Sequence, residues 1–491
     1  MQKAIGENDY AKRSVRGQWA ITENGELILA FVLAFFLNAA IRMIEYDAWQ
    51  ADAFFLNGEP LMATHDAYAW LAGAKGIGSY AASRFAAAIR WMHELTGLSL
   101  GSIGFWLPVA TVPWLALPAC LLARALRLTE AGVIFALMAG SSLGYLVRTR
   151  LGFCDTDLVS LFFPLAFASA LTAWLATQTR SGWKLRAGEK TEAGRWSVGI
   201  ALLAGCCGTF NVSFYSQGGS LLLAVTGMAV LVTLVLAPNT TRIHVLTGLL
   251  MVYAMTFGGG PGWLVGLGLA YVLALRPEIF EFKIALPLIG LLAVLVMVMV
   301  GLPEMVLKYL GMISTYAKTH AVDIGSNASS LQLPAITQSV REAQNLNWGQ
   351  VAGRMAGNWP IFLIGLAGYI FAVTRRPQLL LFVPFLALGL ASVKLGNRFA
   401  MYGGVALGVG LGFGLAELMR LFGQNQGRRW IVQLVLACFA FWPAGELMRI
   451  IQPVPVLPKV YAQTFLNLRA KTEQGARLWQ WWDYGYAGQY Y

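Results

Sequence analysis

The chain has 491 residues, of which 57% are hydrophobic and only 12% are charged. A soluble globular domain is closer to a quarter charged, so this balance excludes a disordered chain, a coiled coil and an ordinary soluble enzyme, and leaves a polytopic membrane protein. The formal charge is +12, yet no stretch interleaves basic and aromatic residues as a nucleic-acid surface would; the excess reads as basic inner loops and anionic lipid. In chain order, Lys3, Lys12, Arg13 and Arg16 precede an apolar run at 26–44. That run is too long for a signal-peptide core and no small-residue cleavage site follows it, so it is the first expected span. Further apolar runs lie at 102–123, 131–147, 158–177, 197–210, 217–237, 243–258, 262–275, 284–302, 359–374, 378–393, 399–419 and 429–450. The expected fold is therefore all-α, with about thirteen transmembrane helices. Cys120, Cys154, Cys206, Cys207 and Cys438 match no zinc spacing and no disulfide framework.

The sides follow from the basic residues. With the N-terminus inside, the inner connections carry Arg124 and Arg127, then Arg180, Lys184, Arg186, Lys190 and Arg195, then Arg242, Arg276, Lys283, Arg375, Arg376, Arg420, Arg428 and Arg429, as the positive-inside rule requires. Two outer loops are long, 45–101 and 303–358; loops of this length are usually functional or disordered. The first holds an apolar and basic stretch, 80–92, suited to lie along the interface. The second is polar around 325–330, which suggests a mobile loop.

Acidic residues are scarce, and span parity puts Asp47, Asp66, Asp155, Asp157, Glu342 and Asp483 on one outer face. Asp155-Thr-Asp157 offers two carboxylates that can converge on one hard cation such as Mg²⁺ or Mn²⁺, or simply open the following helix at its N-terminus. Nearby Arg148 and Arg150 suit an anionic, phosphate-bearing substrate. Lys394 and Arg398 share a short outer loop, either as a snorkelling pair or as an anion clamp, with the planar Arg fork the better pyrophosphate ligand. In Leu478-Trp-Gln-Trp-Trp-Asp-Tyr-Gly-Tyr486 the aromatics fit an interfacial belt. The Asp among them makes, with indole N–H groups, a small pocket suited to a hydroxyl.

Trp481-Trp-Asp-Tyr-Gly485 resembles the signature of the catalytic subunit of oligosaccharyltransferases, the enzymes that N-glycosylate Asn in Asn-X-Ser/Thr sequons. Thr64-His-Asp-Ala-Tyr-Ala-Trp70 resembles that family's first acidic motif, Arg148…Asp155-Thr-Asp157 its second, and Thr337-Gln-Ser-Val-Arg-Glu342 the loop motif ending in a catalytic Glu. Lys394-Leu-Gly-Asn-Arg398-Phe resembles the segment with the pyrophosphate-binding Arg. The pattern is most similar to the bacterial single-subunit PglB type, with a GT-C-like fold.

The resemblance implies Asp66 and Glu342 as catalytic residues, and Asp66, Asp155, Asp157 and Glu342 as ligands of Mn²⁺ or Mg²⁺. It implies donor pyrophosphate contacts at Arg398, with Arg148 and Tyr486 beside it. Acceptor contacts would come from Trp481, Trp482 and Asp483 to the sequon hydroxyl, and from Arg354 to an acidic residue two before the Asn. The implied partners are a polyprenyl-pyrophosphate-linked oligosaccharide, a sequon-bearing polypeptide and membrane lipid, and not nucleic acid. The implied setting is the cell inner membrane, with the site on the periplasmic face and a single-subunit enzyme. Residues 1–455 are expected as the transmembrane catalytic domain and 456–491 as the start of a periplasmic domain, since family members continue beyond a signature that here lies just before Tyr491. Cys154 stands where relatives often have an aromatic. Two other classes share some of these features: a polyprenyl-phosphosugar transferase such as a protein O-mannosyltransferase, which needs no Trp-Trp-Asp pocket, and a lipid-linked sugar transporter, which predicts charges buried mid-span.

Overall fold

Lipid offers no hydrogen bonds, so an apolar chain crossing it must satisfy its backbone internally, and helices result. The computed structural model describes residues 23–183, 192–276, 285–318, 343–473 and 475–491. Each of the thirteen expected runs falls on helix, from Glu23–Met43 to Gln426–Ile450. Among the described residues eight helices are long and apolar enough to cross a membrane, or up to ten if two bent pairs each count as one span, so the fold is as expected while the exact count of thirteen is not confirmed. Ala131–Ser141 and Gly259–Leu275 are apolar but short. The protein is a multi-pass membrane protein.

The central span, Asn397–Leu421, is almost wholly enclosed by its neighbours. Glycine makes this possible: a Cβ on Gly410 would stand 1.8 Å from the Gly365 carbonyl oxygen, and one on Gly414 2.3 Å from that of Gly368. Small residues let two helix backbones approach without a gap. The same stretch, Gly410–Gly414, is a π-helical turn.

The outer segment after the first span is built, not loose. Phe55–Leu56 and Glu59–Pro60 pair as a small antiparallel hairpin, with Asn57 and Gly58 at φ 53° and 81°, the left-handed turn that Asn-Gly favours. Helix His65–Ala74 follows. The expected interfacial stretch is helix Arg84–Thr96, capped by the Ser83 hydroxyl, which accepts from the Phe85 N–H, and ended by Gly97 at φ 69°.

The second long outer segment differs from the expected loop. It begins as helix Leu302–Lys318 and resumes as helix Trp348–Ala356, where Asn347 and Gln350 form a reciprocal capping box. This last helix is bent 75° from Trp359–Arg375. The polar stretch 325–330 and Glu342 lie outside the described residues. Past the last span, helices Lys459–Lys471 and Trp482–Tyr490 return to the first outer segment: the Val456 N–H donates to Met62 O at 2.9 Å and Lys459 Nζ to Asp52 O at 3.0 Å.

Candidate active site at the outer ends of the spans

Two segments far apart in sequence meet at Asp157, the first residue of helix Asp157–Arg180. Arg148 Nε is ion-paired with one of its oxygens. Arg398 Nη2 donates to the other at 2.8 Å. The Asp157 side chain is fully buried, that of Arg148 9% exposed and that of Arg398 30%. Arg398 is thus the more exposed of the two arginines, in the short turn Asn397–Phe399 between two spans. Both guanidiniums serve one carboxylate, the charge-assisted geometry for which Arg is suited.

Asp155 sits beside this pair. Its Oδ1 accepts from the Trp70 indole at 3.1 Å and from the Thr156 N–H at 2.6 Å, while its Oδ2 has a longer contact of 3.7 Å with Arg148 Nη2. Burial, and then the negative charge of Asp157, push the Asp155 carboxyl above its usual range, against the opposing pull of Arg398 and Arg148. Asp155 and Asp157 are hard oxygen donors of the type that suits a divalent cation, and here both Asp157 oxygens are engaged by guanidiniums. Among the described residues no group of three or more His, Cys, Asp or Glu comes together as a metal site, and the remaining acidic residue implied by the resemblance, Glu342, lies outside those residues.

Asp66 lies in the first turn of helix His65–Ala74, one turn before Trp70. Residues four apart share a helix face, so Asp66 is on the face whose Trp70 reaches Asp155. The tail helix completes this wall. His65 meets the Tyr484 ring edge-on at 5.1 Å, and Trp70 packs on Tyr80 at 4.3 Å, which in turn faces Tyr486 at 6.3 Å. Burial, Tyr80, and then the carboxylates of Asp66 and Asp483 push the Tyr486 phenol up to about 12. Asp66, Asp483 and Tyr486 therefore share one electrostatic neighbourhood.

Trp481 is 66% exposed, and its indole Nε1 donates to Asp483 Oδ2 at 3.1 Å. Trp482 opens helix Trp482–Tyr490. Arg354 lies in the last turn of helix Trp348–Ala356. The segment leading into that helix bonds to the Arg398 turn, with the Asn397 N–H donating to Gln344 O at 2.9 Å. Cys154 is fully buried, and burial pushes its thiol up, so it is a packing residue and not a reactive one.

Arg148, Asp155, Asp157 and Arg398 thus join through Trp70 to Asp66, Tyr486 and Asp483 in one cluster. Trp70 and Tyr80 are its unforeseen members. Helical spacing from Asp66 would have found Trp70; nothing local marks Tyr80.

Residues 79–444 match the family model described as oligosaccharyl transferase STT3, N-terminal. The chain is 21% identical over 489 residues to the undecaprenyl-diphosphooligosaccharide–protein glycotransferase of Campylobacter jejuni subsp. jejuni serotype O:2, covering 95% of this chain and 64% of that protein. It superimposes on the archaeal oligosaccharyltransferase AglB from Archaeoglobus fulgidus in complex with an inhibitory peptide and a dolichol-phosphate, at TM-score 0.59 and 15% identity, over 94% of this chain and 63% of that one. A further structure of the Archaeoglobus fulgidus enzyme, complexed with Zn and sulfate, matches at TM-score 0.57 and 18% identity over 95% and 61%. The chain therefore spans a little under two thirds of the length of the relatives it matches.

Proposed function

The chain belongs to the oligosaccharyl transferase STT3 family, and from this premise we propose that it transfers a glycan en bloc from a polyprenyl-pyrophosphate-linked donor to the Asn amide of Asn-X-Ser/Thr sequons. The observation that carries the reading is the reach of Arg398 to Asp157, across 241 residues of sequence, beside Arg148 and next to the helix of Asp66. A guanidinium suits a pyrophosphate, and in this reading it lies beside the acidic residues that bind the amide.

In this reading Asp66 and Glu342 accept hydrogen bonds from the two amide hydrogens of the acceptor Asn. That weakens the conjugation that makes an amide nitrogen a poor nucleophile. Arg398 turns its fork to the pyrophosphate, while Arg148 keeps Asp157 in place. Tyr486, protonated at all ordinary pH, offers its hydroxyl to the donor. Attack from the face opposite the pyrophosphate inverts the anomeric carbon. Asp66, Asp155, Asp157 and Glu342 would hold Mn²⁺ or Mg²⁺, whose charge favours departure of the pyrophosphate. Trp481, Trp482 and Asp483 bind the sequon hydroxyl. For that, the Trp481–Asp483 hydrogen bond opens to admit it. Arg354 favours an acidic residue two before the Asn. The enzyme acts as a single subunit in the cell inner membrane, with this site on the periplasmic face.

The test supplies purified protein with lipid-linked oligosaccharide and a fluorescent Asp-X-Asn-X-Thr peptide, with and without Mn²⁺. A metal-dependent mass shift, lost when the Asn is replaced by Gln, is expected. Asp66→Ala and Glu342→Ala are expected to abolish the shift, and near-normal transfer in either would sink its assigned role.

A further inference from the structure

Arg42 is fully buried near the outer end of the first span, where an ionisable side chain is costly and needs a reason. Its guanidinium is fully engaged. Nη1 donates to Asn38 O at 3.0 Å and Nη2 to Gly140 O at 2.7 Å. The other two bonds go to one residue: Nε to Thr149 O at 2.7 Å and Nη2 to Thr149 Oγ1 at 2.6 Å. Holding the first span to its neighbour does not require these. Asn38 already does so, with Nδ2 donating to Ala136 O at 3.3 Å and Oδ1 accepting from Ser141 Oγ at 3.0 Å.

Thr149 directly follows Arg148, the arginine that binds Asp157. The residues after it are pinned in turn. The Leu151 N–H donates to Glu45 Oε1 at 2.9 Å, and Arg150 Nε lies 3.6 Å from Glu45 Oε2. The Gly152 carbonyl accepts from the Ala63 N–H at 2.9 Å, and the Gly152 N–H donates to Phe105 O at 3.0 Å. The strip between Arg148 and Asp155 is thus fastened to the end of the first span and the segment after it.

We propose that Arg42 is a positioning residue: through its two bonds to Thr149 it fixes the Arg148 guanidinium, and with it the Asp155–Asp157 pair, in the arrangement that receives a divalent cation. The inference rests on the metal reading above. Groups that orient metal ligands are worth about 10- to 100-fold in affinity when removed.

The test compares the full chain with Arg42→Lys, which keeps the charge but loses the fork, and Thr149→Val, which keeps the shape but loses the hydroxyl acceptor. Three measurements are made: amide hydrogen exchange over 149–157, Mn²⁺ affinity from the electron paramagnetic resonance signal of the free ion, and the thermal unfolding midpoint. Faster exchange over 149–157 and an about tenfold weaker Mn²⁺ affinity are expected, with the midpoint of Thr149→Val close to that of the unaltered protein. Unaltered exchange or unaltered Mn²⁺ affinity in both variants would overturn the inference, and so would an unaltered chain that binds no Mn²⁺. An unaltered chain that binds Mn²⁺ but transfers no glycan would instead sink the transferase reading and leave this one standing.

Discussion

At Asp157 one buried carboxylate balances two guanidiniums. Replacing it with Asn keeps the shape and removes the charge, so the buried Arg148 loses its close ion pair and keeps only the longer 3.7 Å contact with the Asp155 carboxylate. Stability is expected to fall by about 3 kcal/mol, read as a lower midpoint in tryptophan-fluorescence melts; an unchanged midpoint would contradict the pairing. Tyr486 gives a pH prediction. Its phenol is raised in the folded protein to about 12, so between the ordinary tyrosine value near 10 and that value the unfolded chain ionises first. Stability is present below that window and is lost across it as pH rises. Tyr486→Phe should lose less stability than the unaltered chain when melts are compared on the two sides of the window. The acidic residues of this cluster were legible because span parity alone put Asp66, Asp155, Asp157 and Asp483 on one face, and the signature named their roles. The hydrogen bond from Arg398 to Asp157 was not legible, because no local pattern links two turns 241 residues apart. Nor was the use of the Trp481 indole, which the hydroxyl-pocket reading left open and which here goes to Asp483.

Among the elements, the central span shows what glycine spacing does. Gly410→Ala would drive a methyl into the Gly365 carbonyl. Overpacking of this kind costs about 1–3 kcal/mol, and the variant is expected to show a lower detergent-solution melting point with the secondary structure by circular dichroism unchanged. The tail helix is tied down by side chains. Tyr490 Oη donates to Glu59 Oε2 at 3.0 Å, and Lys75 Nζ bonds the Tyr490 carbonyl and lies over its ring. Tyr490→Phe removes a hydrogen bond worth about 1 kcal/mol and should speed limited proteolysis between 472 and 481 without altering the membrane helices. Hydrophobic runs made the helices readable to within a few residues. The helices Leu302–Lys318 and Trp348–Ala356 escaped because their faces are mixed, and a polar sequence was read as loop although Asn347 and Gln350 spell a capping box.

For the whole molecule the sidedness of the connections is tested by membrane-impermeant maleimide labelling. Single cysteines at Trp481 and Ser79 should label from outside in sealed cells, and cysteines at Arg124 and Arg428 only after the membrane is opened. Labelling of all four from one side would contradict the positive-inside assignment. Thirteen runs were legible because lipid rewards apolarity over any length. Which of them cross was not, because Ala131–Ser141 and Gly259–Leu275 are too short to settle it by length and can be solvated by protein as well as by lipid.

The docking of the tail on the first outer segment joins residues 415 positions apart at Lys75 and Tyr490. The wall that carries Asp66 is translated early and the wall that carries Asp483 late. Every crossing between them must be threaded before the two can meet. Such a long-range closure is slow. A ribosome-bound chain released before residue 480 would carry Asp66, Asp155, Asp157 and Arg398 in the membrane without the second wall. The outer cluster therefore keeps time with synthesis: it closes only after the whole membrane part has been inserted.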